Sequence, residues 1–286
     1  MRAVVNLGVD PDRILFANPC KAAASLVFAQ RARIFKTTFD NIDELDTIKT
    51  HMPSAQLFLR IYANDNSALI GLGEKFGAHL DTTPILLARA RDLGLDLVGV
   101  SFHVAFCRAI RHARIAFSYA REIGFRPTIL DIGGGFQDDS FEGMAALIRE
   151  TIRSEFPAGV VMIAEPGRFY ARAAYTLVCR VIARRRQIGA AGDLDMLYQN
   201  DGVYGNFMNV IMEKEVVHPQ VIRRMEDVEM KETSERKTGQ CRYSIWGPTC
   251  DSVDCVARDA IFSSEVCIGD WLKYADMGGM FDILIR

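Results

Sequence analysis

Cys250 and Asp251 stand side by side in "WGPTCDSVD" (246–254), directly after a Gly-Pro turn. A thiol can donate a proton to a carbon that has gained an electron pair, and a neighbouring carboxylate can hold an amine. Groups of similar promise end several apolar runs. "LDIGGGF" (130–136) finishes on Gly133, Gly134 and Gly135, which form either a plain tight turn or a cradle of backbone N–H groups for an anion. "AEPGRFY" (164–170) holds Glu165, Pro166, Gly167 and Arg168. Its carboxylate is a candidate base, metal ligand or partner for a heterocyclic nitrogen, and its arginine binds phosphate or pairs with Glu165. "GVSFH" (99–103) ends on His103, either a packed histidine or one that works.

The elements that must position these residues read as alternating strands and helices. Strands are expected in "RILFAN" (13–18), "ARIFKTTF" (32–39), "AQLFLRI" (55–61), "DLVGVSFH" (96–103), "PTILDIGGG" (127–135) and "GVVMIAEPG" (159–167). Between them, "NIDELDTIKTHM", "TPILLARARDLG", "AIRHARIAFSYAREIG" and "GMAALIRETIRSEF" have helical period. Near-continuous apolar strands separated by amphipathic helices imply βαβ units and a parallel sheet. Asn18, Asp40, Arg60, His103, the Gly133–Gly135 run and Glu165 gather at the C-terminal strand ends, where barrel enzymes place their chemistry. The expected fold class is α/β: an incomplete (β/α)8-type barrel with six of eight strands, followed by a partial antiparallel β domain. The barrel domain is expected over 1–170, without its first two strands, and the C-terminal β domain over 171–286. The β domain is expected from "AAYTLVCRVIARRRQ", "DMLYQND", "CRYSIWG" and "WLKYADMGG", with the polar stretch 213–240 as a long surface loop. Six strands cannot close an eight-stranded barrel, so the chain alone is expected to be insoluble, molten or dependent on a partner for the missing edge.

Composition narrows the function classes. The 286 residues carry a formal net charge of −2 with 24% charged side chains, which gives no reason to expect a nucleic-acid or anionic-membrane partner. The basic run "RVIARRRQIG" (180–189) reads as a solvated strand end and loop rather than a phosphate patch. No apolar stretch suits a bilayer span and no signal-peptide order opens the chain. Seven cysteines without a CxxC pair, and five histidines without paired spacing, point away from disulfides and metal and toward a cytoplasmic setting.

Taken together, phosphate-holding glycines, an arginine, a carboxylate and a ring-stacking histidine describe a site for pyridoxal 5′-phosphate, an electron sink for a carbanion. Cys250 would then return a proton to that carbanion, and Asp251 would hold the far amine of the substrate. "ANPCK" (17–21), "TFDN" (38–41), "KFGA" (75–78), "GVSFHV" (99–104), "LDIGGGF", "AEPGR", "NDGVYGNF" (200–207), "WGPTCDSVD" and "VCIGDW" (266–271) occur in the order of the eukaryotic ornithine decarboxylase family, which the chain resembles over nearly its whole length. The resemblance implies an alanine-racemase-like fold and decarboxylation of ornithine or a related basic amino acid, in polyamine or alkaloid-type amine biosynthesis. It implies that Gly133, Gly134, Gly135, Glu165, Pro166, Gly167 and Arg168 bind the cofactor, with Glu165 on the pyridine nitrogen and Arg168 near the phosphate. His103 stacks on the ring, Cys250 is the proton donor, and Asp201 and Asp251 hold the distal amine. It also implies a homodimer with shared sites, bridged by Lys75 and Asp254.

The chain also departs from the pattern. No "YAVK"-like stretch supplies the family's Schiff-base lysine, and Lys21 in "ANPCK" matches a different, non-catalytic lysine. The Gly-Ser-Gly-like turn after "SFHV" is replaced by "AFCRAI", and Met280 stands where the family's phosphate-binding tyrosine ends "MGAY". These departures imply an alternative: a non-catalytic homologue that binds a protein partner, as antizyme inhibitors do. Val27 and Thr47 replace lysines in the segment that matches the antizyme-binding region, which weakens the antizyme variant of that alternative.

Overall fold

A strand that is apolar on both faces needs neighbours on both faces, and Leu57, Phe58 and Leu59 have them: all three are fully buried in the computed structural model. That structure describes residues 1–63, 75–103, 106–136, 140–186, 194–222 and 237–279. The chain divides into two units, Met1–Pro166 and Gly167–Arg286.

The first unit opens with the short helix α1 (Arg2–Asn6) and then alternates strand and helix: β1 (Leu15–Phe16), α2 (Ala23–Arg31), β2 (Lys36–Phe39), α3 (Ile42–His51), β3 (Gln56–Arg60), α4 (Thr83–Asp92), β4 (Asp96–Ser101), α5 (Phe106–Ile123), β5 (Ile129–Asp131), α6 (Phe141–Glu155) and β6 (Val161–Ile163). The six strands form one sheet in sequence order, parallel throughout. Helix α3 starts where expected because the Asn41 side chain accepts from the Glu44 N–H at 2.8 Å, with Asp43 and Glu44 in the first turn. Helix α5 buries Ala109, Ile110, Ala113, Ala116, Phe117 and Ala120. That spacing is one helical face, and its four alanines allow close packing. Helix α2 was not legible in the sequence: only Leu26 and Ala29 of its nine residues are buried, too few to print a period.

The second unit comprises α7 (Gly167–Ala171), β7 (Leu177–Arg185), β8 (Asp195–Gln199), α8 (Met208–Met212), β9 (Gln220–Ile222), β10 (Thr238–Trp246), β11 (Cys255–Ser264) and β12 (Trp271–Tyr274). Its strands form one sheet in the order β11-β10-β8-β7-β12-β9. Every pairing is antiparallel except β8 with β10, which run parallel. The core is Phe207, Tyr243, Ile245, Phe262, Leu272 and Tyr274 with their smaller neighbours. Strand β9 falls inside the stretch expected to be all loop, of which 223–236 lie outside the described residues. A second correction concerns the basic run at 180–189. Arg184 is not solvated: its side chain is 12% exposed and bonds Asp195 and Glu265, each at 2.5 Å.

Candidate functional site

In the first unit three polar residues of the sheet share one row. The register aligns Arg60 of β3 with Ser101 of β4, Ser101 with Asp131 of β5, and Asp131 with Ile163 of β6, so these side chains leave the same face. Asp131 is fully buried, and its Oδ1 accepts the Gly133 N–H at 2.9 Å. Its carboxyl lies close enough to that of Glu165 for the two to influence each other's charge. A bond between two carboxyl groups requires a proton on one of them; with both ionised, Asp131 Oδ2 is a buried acceptor without a donor, as is Ser101 Oγ. Burial, and then the charge of Glu165, push the Asp131 carboxyl up to about 8, against the pull of the Gly133 N–H and Arg60. The Arg60 guanidinium is drawn down by burial, opposed by Asp40, Glu165 and Asp131.

His103 and the glycine turn are built against each other. The Gly134 N–H donates to His103 Nδ1 at 3.1 Å, which leaves the ring proton on Nε2. Burial, and then Arg60, hold this imidazole below its ordinary range, so it is neutral at pH 7. The glycines are required by packing. A Cβ on Gly134 would lie 2.7 Å from the Glu165 carbonyl oxygen and 2.9 Å from His103 Cε1, and one on Gly133 would lie 2.8 Å from His103 Nδ1. Gly133 and Gly135 also have φ of 65° and 93°, which favours glycine. The Glu165 N–H donates to the Gly133 carbonyl at 2.7 Å, tying the strand-end loops after β5 and β6 together. A flat heterocycle with a cationic N–H would find in this unit a carboxylate, a neutral imidazole and a glycine turn.

Lys21 has a fully buried side chain. Its ammonium donates to the carbonyls of Asn18 (2.9 Å) and Thr38 (2.7 Å) and forms an ion pair with Glu44 at 2.8 Å. Lys75 is exposed, with Nζ 5.1 Å from the Phe76 ring centroid.

In the second unit the thiol loop is stitched to the loop at 200–207. Asp254 is the stitch: its Oδ1 accepts the Val203 N–H at 2.8 Å, and its Oδ2 accepts the Thr249 N–H at 3.1 Å and hydroxyl at 2.6 Å. Gly202 and Gly247 pack against that carboxylate where a Cβ would collide with it. At 1% exposure, Asp254 is an internal brace within this chain. Cys250 and Asp251 remain at the surface. Asp251 accepts the Val253 N–H at 2.9 Å and the Tyr204 hydroxyl, and these bonds, Tyr204's first, hold its carboxyl below the usual range.

Asp201, expected to hold a substrate amine, also closes its own turn. Oδ1 accepts the N–H groups of Gly202 (2.8 Å) and Asn206 (3.2 Å), and Oδ2 accepts Asn206 Nδ2 at 2.6 Å. The Arg168 guanidinium is bidentate to Glu213, at 2.5 and 2.7 Å, a partner that sequence reasoning did not name. Arg172 binds Glu215 alongside, at 2.7 Å. Pro166 ends the first unit and Gly167 opens α7. The expected deletion after "SFHV" and the substitution at Met280 lie outside the described residues in part (104–105) and in whole (280). Sequence reasoning missed Asp131 as a site residue; its signal was the acid placed two residues before the glycines. Among the described residues no group of three or more His, Cys, Asp or Glu could hold a metal ion, and no helix is long and apolar enough to cross a membrane.

Comparison with known proteins gives a consistent result. The family description "Pyridoxal-dependent decarboxylase, pyridoxal binding domain" matches residues 1–172. Ornithine decarboxylase of Neurospora crassa is 42% identical over 96% of this chain, and the chain spans 64% of that relative's length. The decarboxylase flvG of Aspergillus flavus is 43% identical over 97% of the chain and 67% of the relative. The crystal structure of the Paramecium bursaria Chlorella virus arginine decarboxylase superposes with a TM-score of 0.86 at 36% identity, covering 97% of this chain and 75% of that one.

Proposed function

The chain belongs to the pyridoxal-dependent decarboxylase family, and we propose that its activity is decarboxylation of ornithine or a related basic amino acid. The observation that carries this reading is the row of half-buried Arg60 with buried Ser101 and Asp131, ending beside Glu165, with unpartnered oxygens on Ser101 and Asp131. Buried polar atoms without partners fit a site made for a polar ligand. The residues fit pyridoxal phosphate, which when bound supplies the electron sink for the pair left behind as CO₂ departs.

In this reading Glu165 accepts the ring N–H and neutral His103 lies flat against the ring. The glycine turn admits a phosphate to main-chain N–H groups. Cys250 donates a proton to the substrate Cα, and Asp251, ionised over a wide pH range because Tyr204 donates to it, holds the distal ammonium. Arg168 keeps N–H donors beyond the two that bind Glu213, and these could meet a phosphate. The exposure of Cys250, Tyr204 and Val253 supports a homodimer in which the thiol loop of one copy completes the cradle of the other. Lys75 is then a surface residue of that contact. A cytoplasmic location is supported by the seven free cysteines, and polyamine or alkaloid-type amine synthesis by the named relatives.

A second reading, a non-catalytic homologue that binds a protein partner, is favoured by the locking of Lys21, a buried lysine, in three polar contacts. The test is release of labelled CO₂ from carboxyl-labelled ornithine, lysine, arginine and leucine, with and without added pyridoxal phosphate. Cofactor-dependent release from at least one basic amino acid, with none from leucine, is the expected result. Cofactor binding without release from any of them would overturn the decarboxylase reading in favour of the second.

A further inference from the structure

The ring-nitrogen end of the cradle holds more acid than one ring can use. Glu165 alone would suffice for a cationic N–H, yet Asp131 stands beside it in a fully buried position with its Oδ2 unpartnered. Its Oδ1 is fixed by the Gly133 N–H, so the carboxyl cannot swing away, and its Oδ2 has no donor unless the pair holds a proton.

The groups facing this pair come from each neighbouring strand end. Arg60 of β3 supplies one positive charge; Asp40 follows β2, and neutral His103 follows β4. Asp40 is engaged by the Gly77 N–H at 2.8 Å and by Asn41 Nδ2 at 2.8 Å. One guanidinium beside three carboxyls does not offset the cost of a charge on fully buried Asp131 next to Glu165, so the proton affinity of Asp131 is raised.

We propose that Asp131 is a positioning residue that holds Glu165 through one shared proton, and that a cationic ring N–H arriving at Glu165 displaces this proton to solvent. The balance is simple. Before binding, the two carboxyls hold one proton and one negative charge. Afterwards Glu165 accepts from the ring N–H, both carboxyls are ionised, and one proton has left for the buffer. The new positive charge compensates the new negative one. The tie has two consequences: Glu165 is held in place by a partner rather than by packing alone, and ligand affinity rises with pH while the shared proton is present.

This inference rests on the proposed cofactor reading, and the experiment separates the two. The probe is 4′-deoxypyridoxine 5′-phosphate, which keeps the ring nitrogen and phosphate but has no aldehyde. Its binding to the full chain is followed by calorimetry at pH 7 in buffers of different ionisation heat, which counts the protons released. Wild-type chain is expected to release up to about one proton more than Asp131→Asn, and its affinity to rise by up to about tenfold per pH unit below the titration of the pair. In Asp131→Asn the amide still faces Glu165 but has no acidic proton to give up, so binding persists with only the probe's own pH dependence. Equal release from both proteins overturns the inference. Absence of binding by wild type overturns the cofactor reading and, with it, displacement by a ring N–H. The shared proton is tested without ligand by infrared spectroscopy. A carboxylic-acid C=O band at neutral pH that vanishes in Asp131→Asn supports it, and absence of the band in wild type overturns it.

Discussion

The cradle and the thiol loop solve opposite problems. The cradle in the first unit is buried and leaves polar atoms over: Asp131 Oδ2 and Ser101 Oγ lack donors, and its charges press on one another. The thiol loop in the second unit is exposed, and its polar atoms serve one another: Asp254, Asp201, Tyr204 and Thr249 are bonded within two adjacent loops. Surplus polarity under burial marks a place for a ligand, whereas internal satisfaction at the surface marks a platform. The difference teaches which carboxylates brace the platform, Asp254 and Asp201, while Cys250 and Asp251 are exposed on it beside Tyr204 and Val253.

The comparison breaks most decisively at Asp254. Replacing it by alanine leaves the Val203 and Thr249 N–H groups without their acceptor, and each buried donor left unsatisfied costs about 1–3 kcal/mol. Urea unfolding should show that loss in Asp254→Ala, together with faster alkylation of Cys250, while Asp254→Asn loses less. A next, smaller effect belongs to the cradle. In Gly134→Ala the new methyl meets the Glu165 carbonyl and the His103 ring, an overpacking of about 1–3 kcal/mol. Probe affinity should fall with it, while the rate of Cys250 alkylation stays unchanged.

A third prediction uses pH to separate the regions. Asp131 is an acid whose folded pKa, about 8, lies above its ordinary value of 3.8. The unfolded chain therefore binds fewer protons between those values, and stability falls as pH rises through that window. Asp131→Asn should abolish this part of the pH dependence of Tm. Asp251 has the opposite sign: its folded pKa is depressed, so its contribution is present at neutral pH and is lost as pH falls through the folded value. The smallest structural effect is expected at Cys250. Cys250→Ala should change stability by no more than about 0.5 kcal/mol, since the thiol is exposed. In a protein that turns over, it should divert product from amine toward aldehyde, read by chromatography; unchanged product and rate would remove Cys250 from the mechanism.

Much of the first unit was legible in the sequence because its strands are short apolar blocks and its helices α3 to α6 carry a strong period. Strand β11 was not: Arg258 and Asp259 interrupt its alternation, and only pairing with β10 makes it a strand. Site residues that end strands, such as His103 and Glu165, were visible as polar punctuation of apolar runs. The roles of Asp201 and Asp254 were not, because which oxygen bonds which N–H depends on how two loops 50 residues apart close on each other. Arg168 shows the same limit, since its partner Glu213 lies 45 residues away.

The account stands or falls on whether the cradle is a ring-nitrogen site with Glu165 at its end. The most direct measurement is the nitrogen chemical shift of ¹⁵N-labelled pyridoxal phosphate bound to the full chain, in wild type and in Glu165→Gln. A protonated ring nitrogen in wild type, held up to a pH where free cofactor has lost that proton, and its loss in Glu165→Gln, is the predicted result. A ring nitrogen that titrates as it does in solution, or one indifferent to Glu165→Gln, would contradict it.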